Sequence, residues 1–90
     1  MSEKTALRQI RKAKLLFASG QLRESIRQFT LAEQEGYELV DIWLSRGAAL
    51  LAMGSFNAAD ADFTNVLEVQ RDNERAYYYR GIARAARGLY

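Results

Sequence analysis

The sequence predicts an all-α fold of five helices arranged as antiparallel hairpins, and three observations support this prediction. Gly20, Gly54 and Gly88 recur at a constant interval of 34 residues, and each follows a stretch with helical spacing of apolar residues. The chain contains no proline, a residue that interrupts helices. Its 90 residues are enough for one modest core, so we expect a single domain spanning residues 1–90.

The 34-residue period also keeps residues of one type at equivalent positions. Ala13, Gly47 and Gly81 are all small, which suits a place where one helix crosses closely over another. Further equivalent pairs are Leu16 and Leu50, Ser25 and Ala59, Phe29 and Phe63, Ala32 and Val66, and Trp43 and Tyr77. Each period therefore reads as two antiparallel helices joined by a tight turn.

The five helices are predicted at residues 6–19, 22–35, 40–53, 56–70 and 74–87. The first, third and fifth end before Gly20, Gly54 and Gly88, because a glycine after a periodic segment is typical of a left-handed C-terminal cap. The second helix has Ser25, Phe29 and Ala32 at helical spacing, and the third has Trp43, Gly47 and Leu50.

N-cap residues mark the start of the last two helices. Ser55 precedes the fourth helix, which carries Ala59, Phe63 and Val66 on one face, and Asn73 precedes the fifth. In the fifth helix, we expect Tyr77 to lie in the core, Tyr78 to point toward the groove described below and Tyr79 to lie at the side. Leu89 and Tyr90 resemble the start of a further helix.

Composition excludes several classes of function. The sequence has no histidine and no cysteine, so the commonest general base, a zinc site and disulfides are all disfavoured, and we expect a cytoplasmic protein. Asp60 and Asp62 occupy different faces of one helix and do not suggest paired catalytic carboxylates. No segment approaches the ~20 apolar residues of a membrane span. We expect neither an enzyme, nor a cofactor, nor a membrane protein.

The basic residues lie in two groups, one on the first helix and one on the last. They are Arg8, Arg11, Lys12 and Lys14, and then Arg80, Arg84 and Arg87. The net charge is only +2, and no organised aromatic surface accompanies these residues. We interpret both groups as solvated helix faces and regard nucleic acid as an unlikely partner.

The pattern resembles the tetratricopeptide repeat family. On the first helix of a repeat, the family has an aromatic, a small and a large residue, as in Trp43, Gly47 and Leu50. On the second helix it has a small, an aromatic and another small residue, and the corresponding residues here are Ala59, Phe63 and Val66. The repeats would span residues 6–39 and 40–73, with a partial repeat at 74–90. The usual proline at the repeat end is replaced by Tyr37 and Arg71, and Arg84 stands at a position where Leu16 and Leu50 are apolar. The resemblance implies a right-handed α-solenoid that serves as a scaffold for protein–protein interaction.

In this family the first helices line a concave groove that holds a peptide or a helix of a partner protein. Carried over to this sequence, the groove positions are Ile10, Lys14, Phe17, Leu44, Ala48, Leu51, Arg75, Tyr78 and Ile82. Their apolar character is similar to that of chaperone-like members that shield partner segments. The alternative interpretation is that Ile10, Leu44 and Tyr78 pack neighbouring first helices together.

Three other functions are alternatives to partner binding in this groove. A clamp for a terminal carboxylate, found in some members of the family, is disfavoured because only Lys14 and Arg75 fit it, while Ile10, Ser45 and Tyr79 do not. The main alternative to partner binding is a structural module that forms homo-oligomers through its terminal helices, especially the C-terminal one. RNA binding is a weaker third interpretation.

Overall fold

The protein consists of five α-helices, as predicted, in a computed structural model that describes residues 2–88. They are α1 (Glu3–Ala18), α2 (Leu22–Glu33), α3 (Leu39–Met53), α4 (Phe56–Val69) and α5 (Glu74–Ala86). No strand occurs in this part of the chain, so the all-α class is confirmed. Leu89 and Tyr90, interpreted above as the start of a further helix, lie outside the described residues.

The helix boundaries follow local capping chemistry. The α1 helix begins three residues earlier than predicted because the Ser2 hydroxyl accepts a hydrogen bond from the Thr5 backbone N–H at 3.3 Å. Asn73 caps α5 as predicted, with its side-chain oxygen 2.9 Å from the Ala76 nitrogen. Ser55 occupies the N-cap position of α4, but its side chain makes no capping hydrogen bond.

The 34-residue period is present in the backbone geometry. Gly20, Gly54 and Gly88 have φ angles of +82°, +83° and +80°, a conformation that residues with a Cβ atom rarely adopt. Each glycine donates its backbone N–H to the carbonyl three residues earlier, at 2.9, 3.0 and 3.0 Å. The ends of α1, α3 and α5 are therefore equivalent in structure as well as in sequence.

Two apolar clusters form the core. The first comprises Ile10, Ala13, Phe29, Ala32 and Ile42. The second comprises Leu44, Ala59, Phe63, Val66, Leu67, Ala76 and Ala83. Trp43 packs against both clusters and joins them. Continuity between the clusters makes residues 2–88 one packed unit.

The helices lie in two layers, with α3 at the centre. It contacts the four other helices, and α1, α3 and α5 lie side by side in one layer. The helices α2 and α4 form the other layer and do not contact each other. The smallest dimension of the molecule, 17 Å between Cα atoms, fits two helix layers. Within residues 2–88 no helix has the length and apolarity required to cross a membrane.

The three consecutive tyrosines of α5 correct the sequence prediction. Tyr77 was expected in the core but is 50% exposed. Tyr79 was expected at the side of the helix, yet its ring stacks on Phe63 with the ring centroids 5.5 Å apart. The prediction for Tyr77 was wrong because its counterpart Trp43 packs between two core clusters, whereas no described helix covers that face of α5.

Candidate partner-binding surface

Two of the predicted groove residues belong to the core instead. Ile10 is 4% exposed in the first cluster, and Leu44 is 8% exposed in the second. Their apolar character is accounted for by the packing of neighbouring helices, which was the alternative interpretation. Neither side chain offers area to a partner in this conformation.

The other apolar groove positions retain accessible surface. Phe17 on α1 and the α3 residues Ala48 and Leu51 are partly buried. On α5, Tyr78 and Ile82 are 68% and 41% exposed. The helix α3 contacts both α1 and α5, so these residues lie on three adjacent helices. We call these five residues the apolar surface.

The two predicted basic groove residues differ in their surroundings. The Lys14 ammonium lies 2.9 Å from the Asp41 carboxylate, so this pair connects α1 to the first turn of α3 at the edge of the apolar surface. Arg75 is exposed and forms no ion pair within residues 2–88. Tyr79, one of the positions compared with the carboxylate clamp, packs against the core. Tyr79 is therefore not placed to complete a carboxylate clamp with Lys14 and Arg75.

A buried ionic network centred on Arg46 was not predicted from the sequence. Arg46 is 12% exposed and donates two hydrogen bonds to the Asp62 carboxylate, at 2.9 and 2.7 Å. It donates two more to Glu33, at 2.9 and 3.2 Å, and one to the Thr30 hydroxyl at 3.2 Å. The Trp43 indole N–H also donates to Glu33, at 2.8 Å. The network joins α2, α3 and α4.

The pKa shifts in this network indicate a structural role. The hydrogen bond from Arg46 lowers the pKa of Glu33, and burial raises the pKa of Asp62 despite the opposing effect of Arg46. The hydrogen bond to Asp62 raises the pKa of Arg46, so the guanidinium remains protonated. These paired groups join α2, α3 and α4.

An open cleft of about 380 Å³ lies over this network, between α2, α3 and α4. It is lined by Ile26, Thr30, Arg46, Leu50, Ala58, Ala61, Asp62 and Asn65. The cleft follows from the absence of contact between α2 and α4, and it is distinct from the apolar surface on the first helices. Three of its polar lining residues are joined to one another, because Arg46 donates hydrogen bonds to both Asp62 and Thr30.

A second ionic cluster connects α4 to α5. The Asp60 carboxylate accepts hydrogen bonds from Arg84 at 3.1 Å and from Arg87 at 2.7 Å, and from the Thr64 hydroxyl at 3.2 Å. Arg84 and Arg87 are exposed, as expected for a solvated helix face, but both also pair with Asp60, which the sequence did not indicate. Asp60 and Asp62 are both buried, and each pairs with arginine on a neighbouring helix.

Comparisons with known proteins give no relative: no protein-family model matches the chain, and neither does any curated protein. The likeness to the tetratricopeptide repeat rests on the 34-residue pattern itself. Within the described residues, no group of acidic side chains is arranged to hold a metal ion.

Proposed function

We propose that this chain is a protein-interaction module that binds a peptide or helix of a partner protein along the apolar surface, in the manner of a scaffold or chaperone. The observation that supports this proposal is the exposure of Tyr78 and Ile82 on α5, next to a helix, α3, that carries the partly buried Ala48 and Leu51. Contiguous apolar area of this kind marks sites of protein contact. The proposal includes a cytoplasmic location, which is supported by the lack of cysteine.

Selection from a displayed library of random peptides tests this proposal without knowledge of the natural partner. We expect the wild-type chain to enrich apolar, helix-forming peptides that bind Phe17→Asp and Ile82→Asp variants at least about tenfold more weakly. Leu15→Asp is the matched control, because Leu15 is 72% exposed on α1 and lies outside the apolar surface. Peptides that bind all four proteins equally would contradict the proposal.

A second candidate is self-assembly through α5. The exposure of Tyr77 and Tyr78 on this last described helix favours it, because burial of such area is a common driving force for association. Nucleic-acid binding has less support, since Arg84 and Arg87 are engaged by Asp60 and Lys14 is engaged by Asp41.

A further inference from the structure

The contact between α3 and α4 shows how the helix at the start of one predicted repeat is covered by the helix that follows it. Gly47 on α3 leaves a notch that is filled by the ring of Phe63 from α4. A Cβ atom on Gly47 would lie 2.6 Å from Phe63 Cε1, so only glycine allows this close approach. Phe63 is completely buried, and Leu44 beside it is 8% exposed.

The equivalent face of α5 has no such cover among the described residues. Gly81 is the counterpart of Gly47, and a Cβ atom at this position would meet nothing within 4 Å. Tyr78, the counterpart of Leu44, is 68% exposed, and Tyr77, the counterpart of Trp43, is 50% exposed. We call Tyr77, Tyr78, Gly81 and Ala85 the outer face of α5. It has the shape of a helix-binding site with an open glycine notch.

The arginines beside the two notches supply a second, independent comparison. Arg46 and Arg80 are 34 residues apart, and each donates to a threonine on the preceding helix, Thr30 at 3.2 Å and Thr64 at 3.4 Å. Arg46 also pairs with Asp62, the residue directly before Phe63. One helix thus supplies both the carboxylate for the arginine and the ring for the glycine notch.

Arg80 lacks both of the carboxylates that its counterpart has. The residue 34 positions after Glu33 is Leu67, and Arg80 contacts no carboxylate within residues 2–88. Its guanidinium lies 5.6 Å from the centre of the Tyr77 ring, at the edge of the outer face of α5. A positive charge therefore stands next to the open notch at Gly81.

We propose that the outer face of α5 binds a helix of a partner protein that carries an acidic residue immediately before an aromatic one. The acidic residue pairs with Arg80, and the aromatic ring enters the notch at Gly81, as Asp62 and Phe63 do at Arg46 and Gly47. This inference rests on the proposed role as a protein-interaction module and assigns it a second surface, which shares Tyr78 with the apolar surface, with a defined partner chemistry.

A second copy of the chain does not satisfy these requirements. Asp62–Phe63 is the sequence's sole case of an acidic residue directly followed by an aromatic residue. Both side chains are buried in their own hairpin, where Asp62 is 4% exposed and Phe63 is fully buried. The Asp62–Phe63 pair of a second copy is therefore not available to this face unless α4 leaves its own hairpin.

The test uses the 90-residue chain and a capped, fluorescein-labelled peptide with the sequence of residues 55–70, which contains the Asp62–Phe63 pair. We expect saturable binding by fluorescence anisotropy. Peptides with Phe63→Ala or Asp62→Lys should bind at least about tenfold more weakly. An Arg80→Glu chain should lose affinity for the original peptide and regain it for the Asp62→Lys peptide, because the charges are exchanged. Gly81→Leu should abolish binding, and Leu15→Asp should leave it unchanged.

Amide chemical shifts in the labelled chain separate this site from the other possibilities. Shifts centred on Gly81 and Ala85 support the proposal, whatever happens at the apolar surface. Shifts confined to Phe17, Ala48 and Leu51 would overturn it while leaving the proposed function intact. Three further results would overturn the proposal for the outer face of α5. They are equal binding to the wild-type, Gly81→Leu and Arg80→Glu chains, displacement of the chain's own α4 by the peptide, and no binding at about 1 mM peptide.

Discussion

Gly47 and Gly81 occupy equivalent positions, yet a side chain at each would meet different surroundings. A Cβ atom at Gly47 would clash with the buried Phe63 ring, whereas one at Gly81 would enter open space. We therefore expect Gly47→Ala to lower the free energy of unfolding by about 1–3 kcal/mol through overpacking. Gly81→Ala should raise it by about 0.5–1 kcal/mol, because alanine is the better helix former.

Chemical denaturation of both variants measures this difference directly. Because the two substitutions are chemically identical and lie in the middle of helices, intrinsic helix propensity cancels in the comparison. Equal midpoints for the two variants would show that α4 does not lie against Gly47. Gly47→Leu, which adds more volume at the same place, should be the most destabilised of the three.

Single residues also show where sequence reasoning failed. The cap at Asn73 was predictable because its acceptor and the N–H that it binds are three residues apart. The burial of Tyr79 and the exposure of Tyr77 were not predictable, because both depend on which neighbouring helix is present. Equivalent positions in a repeat have equivalent surroundings only when the helices around them are also repeated.

At the level of helices, Arg46 determines how α2, α3 and α4 are joined. Arg46→Met would leave the Asp62 carboxylate buried and without its charged partner. We expect a loss of about 3–5 kcal/mol in the free energy of unfolding, because an uncompensated buried charge is costly. The measurement is denaturation by urea at neutral pH.

A double variant separates the charge from the packing. Adding Asp62→Asn to Arg46→Met removes the buried charge, so part of the lost stability should return. If the double variant is as unstable as the sum of the two single variants, the ion pair does not couple these helices. Little change on Arg46→Met alone would show that the network is solvated in solution.

Glu33 gives the same network a dependence on pH. Its pKa is lowered by the hydrogen bond from Arg46, so its ionised form is favoured in the folded chain. The stabilisation is complete above the ordinary glutamate pKa of 4.5 and is lost as the pH falls through the lower folded-state value. Burial shifts the pKa of Asp62 upward, which contributes in the opposite direction.

The contribution of Glu33 is isolated by comparison with Glu33→Gln. At pH 7 we expect the variant to be less stable by about 1 kcal/mol, a modest value because Glu33 is partly exposed. The difference between the two proteins should shrink as the pH falls below 4.5. A difference that stays constant between pH 7 and pH 3 would contradict the assignment.

The helices themselves were largely predictable, whereas the contacts between them were only partly so. Predicted boundaries for α2 to α5 lie within two residues of those observed, because periodicity and capping glycines are local signals. The pairing of Arg46 with Asp62 joins residues 16 apart, and that of Arg87 with Asp60 joins residues 27 apart. The available signal was the placement of two carboxylates among the apolar residues of α4.

For the whole molecule, the outer face of α5 determines how the chain behaves at high concentration. Tyr77 and Tyr78 expose apolar area whose burial favours association. A two-fold contact between two such faces, however, would place the positively charged edge at Arg80 of both copies in one interface, because it pairs the same surface on each copy. We therefore expect a monomer at micromolar concentrations and weak self-association through α5 near millimolar concentrations.

The charge on this face determines the effect of salt on that equilibrium. If like charges oppose the contact, raising the ionic strength from about 0.05 M to about 0.5 M should strengthen self-association, because screening weakens repulsion more than it weakens apolar contact. Light scattering across this range measures the effect, and Tyr78→Lys should abolish association at every salt concentration.

A peptide with an acidic–aromatic pair should also dissociate the dimer, since it supplies the carboxylate that a second copy lacks. Two results would contradict this model, in which apolar contact favours the dimer and arginine repulsion opposes it: a strict monomer up to millimolar concentrations, or a dimer that dissociates when salt is added. In either case α5 would not be the surface through which two copies associate.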